Sequence, residues 1–115
     1  MRISKGMLFV ILCLINASVV SGNGHGKVEI EHVGGYGDGR LVFLYTTHHN
    51  AQPSCNTYRK RWVLNLGNAS GREQYSLLLA AQTARKDVVV RGTGKCDLWH
   101  DTETIYWVGF PVSNK

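Results

Sequence analysis

Polar and apolar positions alternate with a period of two from Lys27 to Val33, KVEIEHV. Val28, Ile30 and His32 fall on one side and Glu29, Glu31 and Val33 on the other, which predicts a strand with one wet face. The glycine-dense GGYGDG that follows contains Asp38-Gly39, a strong hairpin-turn signal. Arg40 to Thr47 is then the return strand. Leu41, Phe43 and Tyr45 lie on one face and Val42 and Leu44 on the other, so both faces are covered over part of its length. Thr47 to Tyr58 reads as a loop. Arg61 to Leu66 reads as a third strand, with Trp62, Leu64 and Leu66 on a common face.

The period then changes. Ser70 followed by Glu73 is a capping-box pattern and predicts a helix from Gly71 to Arg85. Tyr75, Leu77, Leu78, Leu79, Ala80, Ala81 and Ala84 form more than one stripe, so the helix is expected to be largely buried. Val88 to Arg91 is a fourth strand ended by Gly92 and Gly94. Asp97 to Glu103 is a polar loop, and Thr104 to Phe110 a fifth strand, with Trp62 and Trp107 both in phase with apolar neighbours and so expected in the core.

The order β-β-β-α-β-β predicts a mainly β domain with one helix. It fits a five-stranded OB-like Greek-key barrel whose open end is plugged by the helix between strands three and four. The competing architecture is an open α+β sandwich with the helix on one face.

The N-terminus changes what counts as the domain. Arg2 and Lys5 precede an unbroken apolar run from Met7 to Ile15, then small residues. That is the pattern of a secretory signal peptide, and the run is short of the about 20 apolar residues of a membrane span. Cleavage after Gly22 fits the small-residue rule, and after Ser21 nearly as well. The expectation is a leader over 1–22, a single domain over 23–115, no membrane insertion after cleavage, and a secreted or periplasmic location. Arg2 and Lys5 leave with the leader, so 11 basic residues against 8 acidic ones give +3. This mild charge does not imply nucleic acid. The only tight basic cluster, Arg59-Lys60-Arg61, reads as the solvated start of a strand. Cys13 goes with the leader. Cys55 and Cys96 remain, an even number in an exported chain, and are expected to form one disulfide.

From Tyr75 onward the chain carries Leu77-Leu78-Leu79-Ala80-Ala81, Val88-Val89-Val90, Gly92 to Cys96 and Ile105 to Phe110. This helix, valine strand, small-residue turn, cysteine and final strand resemble a pattern of small exported bacterial proteins. The build is also similar to the receptor-binding subunits of pentameric AB-type toxins of the subtilase-cytotoxin and pertussis-like groups. The resemblance covers the C-terminal part of the chain at the level of pattern. It implies a bacterial, disulfide-bonded OB-fold that binds glycans and assembles as a ring.

Candidate chemistry is sparse. His25, His32, His48, His49 and His100 show no HExxH-type spacing, and no metal or cofactor is called for. Adjacent His48 and His49 on a strand would point to opposite faces. Asp97, Asp101 and Glu103 share a loop with His100, without a nucleophile beside them. Gly35-x-Gly37-x-Gly39 lacks the GK[ST] ending of a phosphate loop. Asn68-Ala69-Ser70 would accept a glycan in a eukaryote. Aromatics say more, because sugars stack on them beside fixed polar groups. Trp99 and His100 stand in a polar loop, where Trp99 either binds a ligand or packs over Cys96. Tyr45 and His48 lead strand two toward a loop, and Tyr36 and Arg40 flank the glycine turn. These six are the candidate ligand-binding residues.

Three functions follow. The first is an exported, non-enzymatic binding module for a glycan or a cell-envelope protein, possible as a homo-oligomeric ring through edge strands. The second is a small periplasmic enzyme or metal-binding protein using His48, His49, His100 and Asp101, which requires those groups to converge. The third, an OB-fold for single-stranded nucleic acid, is opposed by the leader.

Overall fold

A computed structural model describes residues 20–34 and 40–112. Residues 1–19 of the leader expected over 1–22, the Asp38-Gly39 turn and Tyr36 lie outside the described residues. The elements are β1 (Asn23–Gly34), β2 (Leu41–Asn50), β3 (Arg61–Asn65), α1 (Ala69–Ala84), β4 (Val88–Gly92) and β5 (Glu103–Gly109). The strands close into a barrel in the order β1-β2-β3-β5-β4, with β4 returning to β1. All pairings are antiparallel except β3 with β5. This is the OB-like arrangement, and closure decides against the open sandwich.

Two strands run further than the sequence pattern suggests. β1 starts at Asn23 because Asn23–Gly26 pair with β4 while the same segment pairs with β2. Its early glycines hide that from a pattern reading. β2 continues through His48 and His49 to Asn50, so the histidines expected in a loop belong to a strand.

The barrel core is Val28, Val42, Leu44, Trp62, Leu64, Val88, Val90, Ile105 and Val108, joined by Leu78 and Ala81 of α1. A second cluster, Leu41, Phe43 and Val63, lies on the outer face of β2 and β3 under Leu98 and Trp99. The strand with two apolar faces is thus covered on both. Burying such side chains contributes about 1.5–3 kcal/mol each, which makes the extra cover worth its ordering cost.

Several expectations need correction. The N-cap of α1 is Asn68, whose Oδ1 accepts from the Gly71 amide at 2.7 Å. Ser70 is already inside the helix and accepts from Gln74. Asparagine caps as well as serine, so the helix starts earlier than the Ser70–Glu73 pair indicates. Nor is α1 largely buried: Gly71, Leu78 and Ala81 are, while Leu79 stays exposed. The barrel admits one stripe of a helix. Trp107 is exposed, not core, because β5 shifts register between its pairings to Arg91 and Gly92 and the alternation slips there.

Arg61 is not a solvated strand start. Its guanidinium lies 4.4 Å from the Phe43 ring centre and 4.0 Å from that of Tyr58, and donates to Thr102 and Asp101. It ties the loop after β4 onto the outer cluster.

Cys55 and Cys96 form the expected disulfide, with Cα atoms 6.1 Å apart. It joins the β2–β3 loop to the β4–β5 loop. α1 leaves the opposite end of β3, so the bond does not lie where the helix begins.

Candidate functional site

Two adjoining clefts follow the seam between β1, β2 and the C-terminal end of α1. The first, about 350 Å³, is lined by Lys27, Glu29, Tyr45, Thr47, Gln82 and Arg85 among others. The second, about 590 Å³, is lined by Lys27, Arg85, Lys86, Asp87, Phe110 and Pro111. They share Lys27 and Arg85. Both volumes fall in the range of small-molecule sites.

Local structure sets these side chains. A register shift between His25 and Val28 falls at Gly26, whose φ is 111°. A Cβ there would stand 2.4 Å from that of Thr47, so only glycine lets β1 bend around this residue. The bend brings the Lys27 amide to donate to Thr47 Oγ1 at 2.8 Å. Lys27 Nζ also pairs with Asp87, linking β1 to the turn after α1. Gln82 Oε1 accepts from the Ile30 amide at 2.6 Å and fixes the helix against β1.

Arg85 caps α1 in the left-handed region, φ 57°, with its amide reaching Ala81 and Gln82 carbonyls. Glycine is the usual residue there. A side chain held at such a cost, and lining both clefts, is the kind of local strain that collects at binding sites.

Tyr45 forms one wall. Burial pushes its phenol up from its ordinary 10.0, with the nearby Glu31 carboxylate adding and the Arg59 guanidinium opposing. It therefore remains a neutral hydroxyl, able to donate as well as accept, across the whole physiological range.

The other candidate residues scatter. Trp99 is half-buried and meets Phe43 edge-on at 5.4 Å, so its ring covers the outer cluster. His100 is exposed, 3.6 Å from Asp101, which is itself held by Arg61. Arg40 is exposed just before β2, where its carbonyl accepts from Leu66. His48 is exposed and stacks on His25 at 4.4 Å. His48 and His49 do face opposite ways, but His49, His48 and His100 each have a different partner. Among the described residues, no group of three His, Cys, Asp or Glu side chains could hold a metal ion.

Sequence reasoning missed a polar centre inside the barrel. His49 Nε2 lies 2.8 Å from Glu103 Oε1, and both side chains have no solvent exposure. His49 Nδ1 lies 3.0 Å from the Lys60 carbonyl, an acceptor only, so Nδ1 carries a proton and a further one lies between Nε2 and Oε1. The ring stacks on Trp62 at 3.5 Å, 8° from parallel. Glu103 Oε2 accepts from the Gly22 and Gly94 amides at 2.8 and 2.9 Å, and the Glu103 amide donates to Asn56. The signal was present: Glu103 is in phase with the inward Ile105.

No family model, curated protein or solved structure matches this chain.

Proposed function

We propose that this protein is an exported, non-catalytic binding module that takes a glycan in the groove running from Tyr45 to Phe110. The observation that carries the reading is the make-up of the two clefts meeting at Arg85. An aromatic ring stands at each end, and hydroxyl, amide, carboxylate and cationic groups lie between. Sugars need that mixture: a ring for the apolar face and fixed polar groups for the hydroxyls. Lys27, Arg85 and Lys86 against Glu29 and Asp87 favour sugars carrying a carboxylate.

The non-catalytic part is supported by the sealed position of the His49–Glu103 pair, which a substrate does not reach. The bacterial origin, secreted or periplasmic location and likeness to toxin receptor-binding subunits belong to the same proposal. They rest on the leader pattern and the OB-like barrel with its disulfide.

A homo-oligomeric ring is part of it too. Every strand of the barrel has two neighbours, but some run past their pairings: β1 continues beyond Gly26 without β4, and β5 continues beyond Thr104 without β3. Tyr106, Trp107 and Phe110 are exposed along that stretch and just beyond it.

The test is an array of neutral and acidic glycans probed with the processed protein, with its mass in solution measured alongside. Selective binding that is lost in Arg85→Ala and kept in Arg40→Ala supports the groove. A folded protein that binds no glycan, or binds equally after Arg85→Ala, overturns it.

A further inference from the structure

Gly22 completes the polar centre from outside β1. It is buried, its amide donates to Glu103 Oε2 at 2.8 Å, and its carbonyl accepts from the Gly92 amide at 2.9 Å. A Cβ at this position would stand 2.3 Å from Glu103 Oε1 and 2.8 Å from His49 Nε2. Neither atom can swing away, because both side chains are sealed in the barrel. Val20 and Ser21, immediately before it, are exposed. The change from a solvated chain to a fully engaged residue occurs across one peptide bond.

We propose that the processed protein begins at Gly22, through hydrolysis of the Ser21–Gly22 bond, and that the α-ammonium so formed pairs with Glu103. Water adds across the bond. Its oxygen and one proton go to Ser21 as a carboxyl group, and its other proton goes to the Gly22 nitrogen. The carboxyl proton then passes to the amine, leaving a carboxylate on the released leader and an ammonium on the domain.

The small-residue rule allows this bond, with Ser21 and Val19 before it, as well as the next one; two structural observations favour this one. Cutting after Gly22 would remove one of the two donors to Glu103 Oε2 and, with it, the acceptor of the Gly92 amide, leaving that buried amide unpaired. Cutting before Gly22 keeps both bonds and replaces a neutral donor with a charged one, the stronger partner for a carboxylate out of water. Because the bond lies against the folded barrel, the cut precedes folding. The inference shares with the proposed function only the premise that the chain is exported; it does not depend on glycan binding.

The experiment has two readings. The full chain is exported from a bacterial host under its own leader, and its first residue is determined by N-terminal sequencing. Gly22 is expected; any other first residue, Asn23 or an uncut Met1 included, overturns the proposal. On the Gly22 protein, acylation of the α-amine by acetic anhydride is timed in the native state and in urea. Native acylation slower by about tenfold or more supports the ion pair. Equal rates overturn it. Where Glu103→Gln folds, it restores fast acylation, which a purely steric role of Gly22 would not do.

Discussion

His49 and Glu103 meet at 2.8 Å inside the barrel although they are 54 residues apart in the chain. The pair bridges the end of β2 to the start of β5, beside the only parallel pairing in the barrel, where β3 and β5 share two residue pairs. The weakest seam of hydrogen bonds is therefore reinforced by side chains. Removing one partner strands the other without water, which costs about 3–5 kcal/mol for a buried pair. His49→Ala and Glu103→Ala are each expected to lower stability by that order in urea unfolding. The double variant should lose markedly less than the sum of the two, since the second change no longer strands a partner.

Arg85 gives the opposite sign. Its left-handed cap costs a side chain about 1 kcal/mol relative to glycine. Arg85→Gly should stabilise the fold by up to about 1 kcal/mol while weakening glycan binding in the groove. Thermal unfolding and a binding isotherm on one protein sample check both halves. A variant that gains stability and binds as before would remove Arg85 from the site.

Tyr45 carries a pH dependence. Its phenol is pushed up in the folded state, so the folded protein holds this proton over a window where the unfolded chain has released it. The contribution to stability is present below 10.0 and is lost as pH rises through the higher folded value. Phenolate absorbance in an alkaline titration should show one of the five tyrosines ionising late, and Tyr45→Phe should remove that late step.

Strand order, the helix and the disulfide were legible in the sequence because each leaves a local mark: alternation, a change of period, an even pair of cysteines beyond the leader pattern. The sites were not, for one recurring reason. Alternation predicts a face only as far as the next irregularity. Near the register shift at Gly26, the inward set passes from Thr46 to His49, which sends His48 out to His25 and His49 in to Glu103. At the shift between Arg91 and Gly92, Trp107 turns outward and lies 5.7 Å under the Arg91 guanidinium. Arg61 shows a different limit. Its burial depends on Tyr58, Phe43 and Thr102, three segments that no local pattern brings together.

The Cys55–Cys96 bond closes a separation of 41 residues, and one of the two loops it joins carries Leu98 and Trp99, which cover the outer cluster. Loop-closure entropy for such a ring gives about 4 kcal/mol, a large share of the total for a domain of this size. Each loop is also held without it. The Thr57 and Tyr58 amides donate to the Asp101 carbonyl at 3.1 and 3.2 Å, and Arg61 spans the same gap. Reduction should therefore lower the urea midpoint strongly without separating the loops in the native state. Reduced protein is expected to keep the near-ultraviolet signature of Trp99 packed on Phe43 at low urea, then unfold at a lower midpoint than the oxidised form. Loss of that signature before global unfolding would mean that the disulfide, and not Arg61, holds Trp99 over the barrel.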